Sequence, residues 1–205
     1  MHDLIVIDNA LTETEADELE KLLSSDIFPY YLGMDVHPDR LAESDDHPGL
    51  MVTENAVTSI QGSHICFTPR DPNNSPYDSY AKELSGKILQ HIDITNPEFE
   101  RIKFNVMFPN KHLTKIHHNV PHIDCLEGWV LLYFVNDSDG DTLFFHQRYD
   151  GENHIASKVR HRISPQKGKA VVFQSDIFHC STNPIMSEKR IVMNVNFNFQ
   201  ADAQV

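Results

Sequence analysis

The chain has 205 residues, 40% of them hydrophobic, and a formal net charge of −13 at pH 7. That length and apolar content suit one domain able to bury a core unaided, and the charge argues against nucleic acid or an anionic membrane surface as partner. Three cysteines without C-x-x-C spacing point to a reducing compartment, with the cytoplasm as default, and no apolar run reaches bilayer-spanning length.

In chain order, "LIVID" at 4–8 reads as a strand, being too short for a signal-peptide core and lacking a basic flank. "TETEADELEKLLSS" (12–25) opens with a capping box, Thr12 then Glu15, and continues with Ala16, Leu19, Leu22 and Leu23 at helical spacing. A second helix is expected over 76–91, with Pro76 in its first turn and Tyr80, Leu84, Ile88 and His91 along one face. Between them, residues 33–55 are polar, acidic and broken by Pro38 and Pro48, a pattern that suits a long lid-like loop.

From 101 onward the texture is that of strands: 101–108, 129–136, 142–146, 154–163, 169–175 and 190–199, separated by Gly-, Asp- or Pro-bearing turns. The run "WVLLYFVN" (129–136) is apolar enough for a strand buried on both faces. The expected fold is mainly β, a jelly-roll core over 101–199 with residues 1–100 as helical support and lid, all in one domain spanning 1–205.

A His-x-Asp triplet occurs at 37–39, 91–93 and 122–124, and composition alone gives about one such match by chance. The first lies in the loop, where Pro38 suggests a turn. The second falls at a helix end, where positions i and i+2 point to different sides. The third leads into the strand at 129, and in extended chain His122 and Asp124 share a face and could reach one ion. His179, just beyond the strand at 169–175 and before a turn, supplies a third ligand. Two histidines and a carboxylate leave open positions on an octahedral metal, as in non-haem Fe(II) oxygenases. Arg190, opening the last strand, offers a carboxylate a bidentate partner.

Along that last strand Arg190, Val192, Asn194 and Asn196 share one face. If Arg190 points inward, Asn194 and Asn196 line its pocket; otherwise they face solvent on an edge strand. Asn105 is a further pocket candidate. Cys125 and Cys180 adjoin ligands and are turned away from them as packing residues. His112, His117 and His118 read as exposed loop residues, with His117 or His118 alternatively touching substrate. The basic stretch 158–169 reads as a solvated strand and turn.

The ordered set His122-x-Asp124, "LLYFVN" (131–136), "DGDT" (139–142), "ISPQKGKAVVFQSDIFHCSTNPI" (163–185) and Arg190 resembles the 2-oxoglutarate/Fe(II)-dependent oxygenases, in particular their prolyl 4-hydroxylase-like branch. The resemblance covers about residues 101–199 and implies a double-stranded β-helix. It implies that His122, Asp124 and His179 ligate Fe(II), that Arg190 pairs with the C5 carboxylate of 2-oxoglutarate, and that Thr142 donates a hydroxyl to the same carboxylate. It further implies hydroxylation of a substrate C–H bond with O2, releasing succinate and CO2. Asp124 favours hydroxylation, since related halogenases lack this carboxylate. The implied substrate is a prolyl residue in a peptide, a free amino acid or another small molecule.

The sequence departs from the pattern in two places. Asp139 stands where the family has Gly and Asp141 where Glu is frequent, and Phe134 occupies a position often held by Tyr. Neighbouring Tyr133 is the remaining candidate for a tyrosine contact to 2-oxoglutarate. The competing readings are a cupin-type metalloenzyme, which usually offers His-x-His and would leave Arg190 unexplained, and a non-catalytic jelly-roll binding module.

Overall fold

The computed structural model describes residues 3–34, 53–71, 74–151 and 158–199. The loop triplet at 37–39 and most of the expected lid therefore lie outside the described residues. Strand β1 (Leu4–Ile7) leads into helix α1 (Glu13–Leu23). The α1 capping box forms as expected: Thr12 Oγ1 accepts from the Glu15 amide at 3.3 Å, and Glu15 accepts from the Thr12 amide at 3.0 Å. Helix α2 (Asp78–Gln90) buries Ala81, Leu84, Ser85, Ile88 and Leu89. Pro76 precedes the Tyr77 cap rather than standing in the first turn, and His91 caps the other end with its side chain exposed. Asp93 adopts φ 61°, so the second triplet is indeed a chain turn leaving a helix.

The first hundred residues are less helical than expected. β2 (Tyr31–Met34), β3 (Ala56–Val57) and β4 (Ile60–Phe67) all fall there. Strand β4 escapes a periodicity reading because its buried positions are Gly62, His64 and Cys66, while Ile60 and Ile65 are exposed. Gly62 is required where it stands: an added Cβ would lie 2.7 Å from Val106 Cγ1.

The remaining strands are β5 (Glu98–Met107), β6 (His118–Asn119), β7 (Trp129–Phe134), β8 (Thr142–Arg148), β9 (Val159–Ile163), β10 (Ala170–Gln174), β11 (Ile177–Ser181) and β12 (Arg190–Asn198). They form a seven-stranded antiparallel sheet in the order β1-β10-β7-β12-β5-β4-β2 and a three-stranded antiparallel sheet β11-β8-β9. A short parallel pair joins β3 to β6.

Alternation gives the large sheet two buried faces. Leu131, Tyr133 and Val135, with Ile191, Met193 and Val195, pack on one side against Leu19 and Leu23 of α1 and Leu84 and Ile88 of α2. Val130, Leu132, Phe134, Phe173 and Val192 pack on the other, against Phe144 and Ile177 of the small sheet. The ring centroids of Phe144 and Phe173 are 4.9 Å apart, which marks where the two sheets meet. β12 lies between β7 and β5, so the alternative of a solvent-facing edge strand is excluded. The basic strand β9 is exposed, as expected for residues 159–162.

Candidate metal centre

His122 and Asp124 stand on an extended segment between β6 and β7, with Ile123 buried on the opposite side against Phe178 and Cys180. His122 bridges backbone to backbone with His179: each amide donates to the other carbonyl, at 2.9 and 3.0 Å. His179 lies beyond β10, as expected, and within a further strand, β11. That strand went unread because it is short, nearly buried on both faces and bulged between Ile177 and His179, so no alternation survives.

This bridge brings one ligand atom from each of His122, Asp124 and His179 within 4.8 Å of one another. The His179 Nε2 and Asp124 Oδ2 atoms are 3.6 Å apart, within the spacing of about 3 to 4 Å expected for ligands that each lie about 2.1 Å from a shared ion. Both imidazoles are tethered through Nδ1 to a backbone carbonyl, His122 to Val120 at 2.9 Å and His179 to Ile177 at 3.1 Å. Donation from Nδ1 fixes the tautomer and leaves each Nε2 as a lone-pair donor. The His179 ring is further held by Phe173, with centroids 4.7 Å apart.

Asp124 is gripped at both oxygens. Arg101 Nη2 donates to Oδ1 at 2.9 Å, and Asn194 Nδ2 donates to Oδ2 at 3.0 Å. Burial alone would raise its pKa, but contact with His179 and the charges of Arg101, His179 and Lys103 hold it well below the usual carboxylate range. Two imidazoles with Nδ1 held by backbone carbonyls and one ionised carboxylate form a donor set that fits a divalent transition metal with positions to spare.

Arg190 and Thr142 meet at the same cavity. Arg190 is buried, donating from Nη2 to Thr142 Oγ1 and from Nε to the Gly140 carbonyl, both at 2.8 Å. Gly140 makes room for it, since an added Cβ would lie 2.8 Å from the Thr182 carbonyl and 3.0 Å from Arg190 Cδ. The two departures around this turn have structural work. The Asp139 carboxylate accepts the amides of Ile185, Met186 and Ser187 just before β12. Asp141 accepts from Arg162 and from Ser164, both at 2.7 Å, and so anchors β9.

Asn105 and Asn194 line the cavity with His122, His179, Thr142 and Arg190. Asn196 does not; it is buried beside Arg101 on a neighbouring cavity that Asp124 also lines. Tyr133 is also displaced from its expected place. Strand alternation turns it into the core beneath the helices, and Leu132 faces the cavity instead. His118 is buried rather than exposed, its Nδ1 against the Asn119 carbonyl and its Nε2 3.1 Å from Thr53 Oγ1. Burial also pushes the Cys125 thiol up to about 11, in keeping with a packing residue.

Sequence reasoning missed Arg101, Lys103 and Gln61, the last two of which line the cavity. Arg101, Lys103 and Asn105 alternate along β5, and charged residues at every second position normally mark a solvent face. Here that face looks into the space between the sheets.

No protein-family model and no curated protein matches the chain. Solved structures do. An oxidoreductase of the 2OG-Fe(II) oxygenase family from Burkholderia pseudomallei superposes with a TM-score of 0.65 at 11% identity, covering 96% of this chain and 85% of its own. A prolyl hydroxylase from Trichoplax adhaerens, solved with a peptide of a hypoxia-inducible factor, gives 0.55 at 14% identity over 96% of this chain and 84% of its own. A Pseudomonas putida prolyl-4-hydroxylase gives 0.52 at 14% identity over 98% and 95%. The fold is that of the 2-oxoglutarate/Fe(II) oxygenases. Within this oxygenase fold the chain has a mainly β, jelly-roll core buttressed by two helices among its described residues.

Proposed function

We propose that residues 1–205 form one catalytic unit, an Fe(II)- and 2-oxoglutarate-dependent dioxygenase that hydroxylates a C–H bond. The observation that carries this reading is the convergence of His122, Asp124 and His179 beside a buried Arg190–Thr142 pair in one cavity. A binding module has no use for a buried cation and a three-ligand cluster in the same place, and a cupin reading leaves Arg190 idle.

His122, Asp124 and His179 would hold the iron. Arg190, oriented by the Gly140 carbonyl, would take the C5 carboxylate of 2-oxoglutarate together with Thr142. When bound, iron with 2-oxoglutarate and O2 supplies the oxidising power: C–H becomes C–OH while 2-oxoglutarate gives succinate and CO2. Arg101 and Asn194 keep the Asp124 carboxylate ionised and fixed in direction. The Phe173 and Phe144 rings exclude water from the far side of His179. The solved neighbours include prolyl hydroxylases, so a peptide or a small molecule is the substrate class from which to start. The free Cys66, Cys125 and Cys180 support a reducing, cytoplasmic setting, and among the described residues no helix is long and apolar enough to cross a membrane.

Anaerobic titration with Fe(II) and 2-oxoglutarate tests the reading through the visible charge-transfer band of the complex. The band is expected in the wild-type chain and lost in His179→Ala, with succinate release falling to background. A variant that still binds Fe(II) like wild type would remove the three-ligand assignment.

A further inference from the structure

We infer that Arg101 is a positioning residue that keeps a place open on the metal: by holding Oδ1 of Asp124 it confines that carboxylate to a single metal bond, through Oδ2, and leaves a position for O2. The inference rests on the oxygenase reading above and deepens it.

The Asp124 carboxylate is held differently at its two oxygens. Oδ2 faces the ligand cluster, 3.6 Å from His179 Nε2, and accepts from the Asn194 amide at 3.0 Å. Oδ1 accepts from Arg101 Nη2 at 2.9 Å. The guanidinium arrives from a different side. Arg101 stands opposite Asn196 of β12 and lines the neighbouring cavity together with Asp124, while His122 and His179 line the first. The Asp124 side chain is 1% exposed and that of Arg101 14%, so water competes little for this charge-assisted hydrogen bond. A guanidinium also keeps its charge at every working pH, so its claim on Oδ1 does not lapse.

The number of free places on the metal depends on that grip. An octahedral ion with three protein ligands keeps three places, two for the chelating end of 2-oxoglutarate and one for O2. A carboxylate bound through both oxygens takes one of them. Freed of Arg101, Oδ1 would be a buried anionic oxygen without that donor, and a metal held by its sister oxygen lies within reach. Losing a hydrogen bond to a charged group shifts such a balance by about tenfold or more. Asn194 acts on the oxygen that already serves the metal, so it steadies direction without setting the count.

Nitric oxide, which occupies the O2 position without turnover, reads the open place through the electron paramagnetic resonance of its Fe(II) adduct. With saturating Fe(II) and 2-oxoglutarate under anaerobic conditions, the signal per bound iron should fall about tenfold in Arg101→Met, with the charge-transfer band retained. Arg101→Lys, which restores a charged donor, should recover the signal, and Asn194→Ala should keep it within about twofold. A full signal in Arg101→Met, as when water from the neighbouring cavity replaces the guanidinium, overturns the inference and leaves the oxygenase reading standing. So does an equal loss in Arg101→Lys and Asn194→Ala, which would mark a general disturbance of the ligand cluster. Loss of the band itself in Arg101→Met overturns it as well, since Arg101 would then serve the affinity for metal rather than the open place. The wild-type chain supplies a measurement that needs no variant to fold. With carbon-13 in its aspartate carboxylates, Fe(II) loading should move the two infrared stretches of the ligand carboxylate apart, the mark of one metal bond. Stretches drawn together mark binding through both oxygens and overturn the inference. Absence of the charge-transfer band in the wild-type chain overturns the oxygenase reading, and this inference with it.

Discussion

Asp139 and Gly140 show how single residues shape the site without entering it. Burial would raise the Asp139 pKa, but the amides of Met186, Ser187 and Ile185 and the Ser187 hydroxyl outweigh it and bring it down to about 2 from the ordinary 3.8. A depressed carboxylate contributes stability that is complete above its unfolded value and lost as pH falls through the folded one. The loop before Arg190 should therefore weaken between about pH 4 and about pH 2. Urea unfolding across that range should show a shallower acid dependence in Asp139→Asn than in the wild type. Gly140→Ala acts by crowding. Its Cβ would lie 2.8 and 2.9 Å from the backbone of Thr182 and Pro184, which cannot give way as a side-chain tip would, and 3.0 Å from Arg190 Cδ. Displacing the guanidinium should weaken 2-oxoglutarate binding about tenfold or more, while Fe(II) affinity, set on the other side of the cavity, changes little. Isothermal titration of each component separates the two effects.

Elements differ in how plainly the sequence announced them, and the reason is which chemistry faces inward. Helix α1 was legible because its cap and its apolar stripe are both local. Replacing Thr12 by Ala should cost about 1 kcal/mol in chemical denaturation, since the cap closes the N-terminus of a helix that packs on the large sheet through Leu19 and Leu23. Strand β12 was legible in its alternation but not in how far its inner row serves one site. Arg190 and Asn194 reach the main cavity, while the pitch of the strand carries Asn196 past Asp124. Strand β4 was hidden because glycine, histidine and cysteine hold the buried positions. His64 satisfies itself there through the Pro29 carbonyl and Ser75 Oγ, at 2.8 and 2.7 Å, a partnership no local pattern announces. The three ligand positions could be read from residue order and type, whereas Arg101 and Lys103 needed the topology that sets β5 beside β12. Tyr133 was misplaced by one residue of alternation, enough to carry a side chain from the cavity to the opposite face.

At the scale of the whole molecule, an acidic chain places Arg101, Lys103 and Arg190 around an interior site that would receive a metal ion and a dianion. Binding energy at that site is also folding energy, because His122 and His179 come from separate segments that the native fold brings together through their backbone bridge and the packing of Ile123 on Phe178 and Cys180. In the unfolded chain His179 is distant from the His122-x-Asp124 pair and the three hold no shared ion, so loading should stabilise the native state by mass action. At a hundredfold excess over Kd this amounts to about 2.7 kcal/mol. For a chain of this size each kcal/mol moves the Tm by about 2 to 4 °C, so saturation should raise it by about 5 to 10 °C. Co(II) or Mn(II) can stand in for Fe(II) in air, and 2-oxoglutarate added alone should do far less than the two together, because its chelating end would need the metal. His179→Ala should unfold near the unloaded wild-type temperature and show no rise with either addition. A wild-type Tm that stays flat under saturating metal and 2-oxoglutarate would mean that the cluster is a packing arrangement and not a binding site.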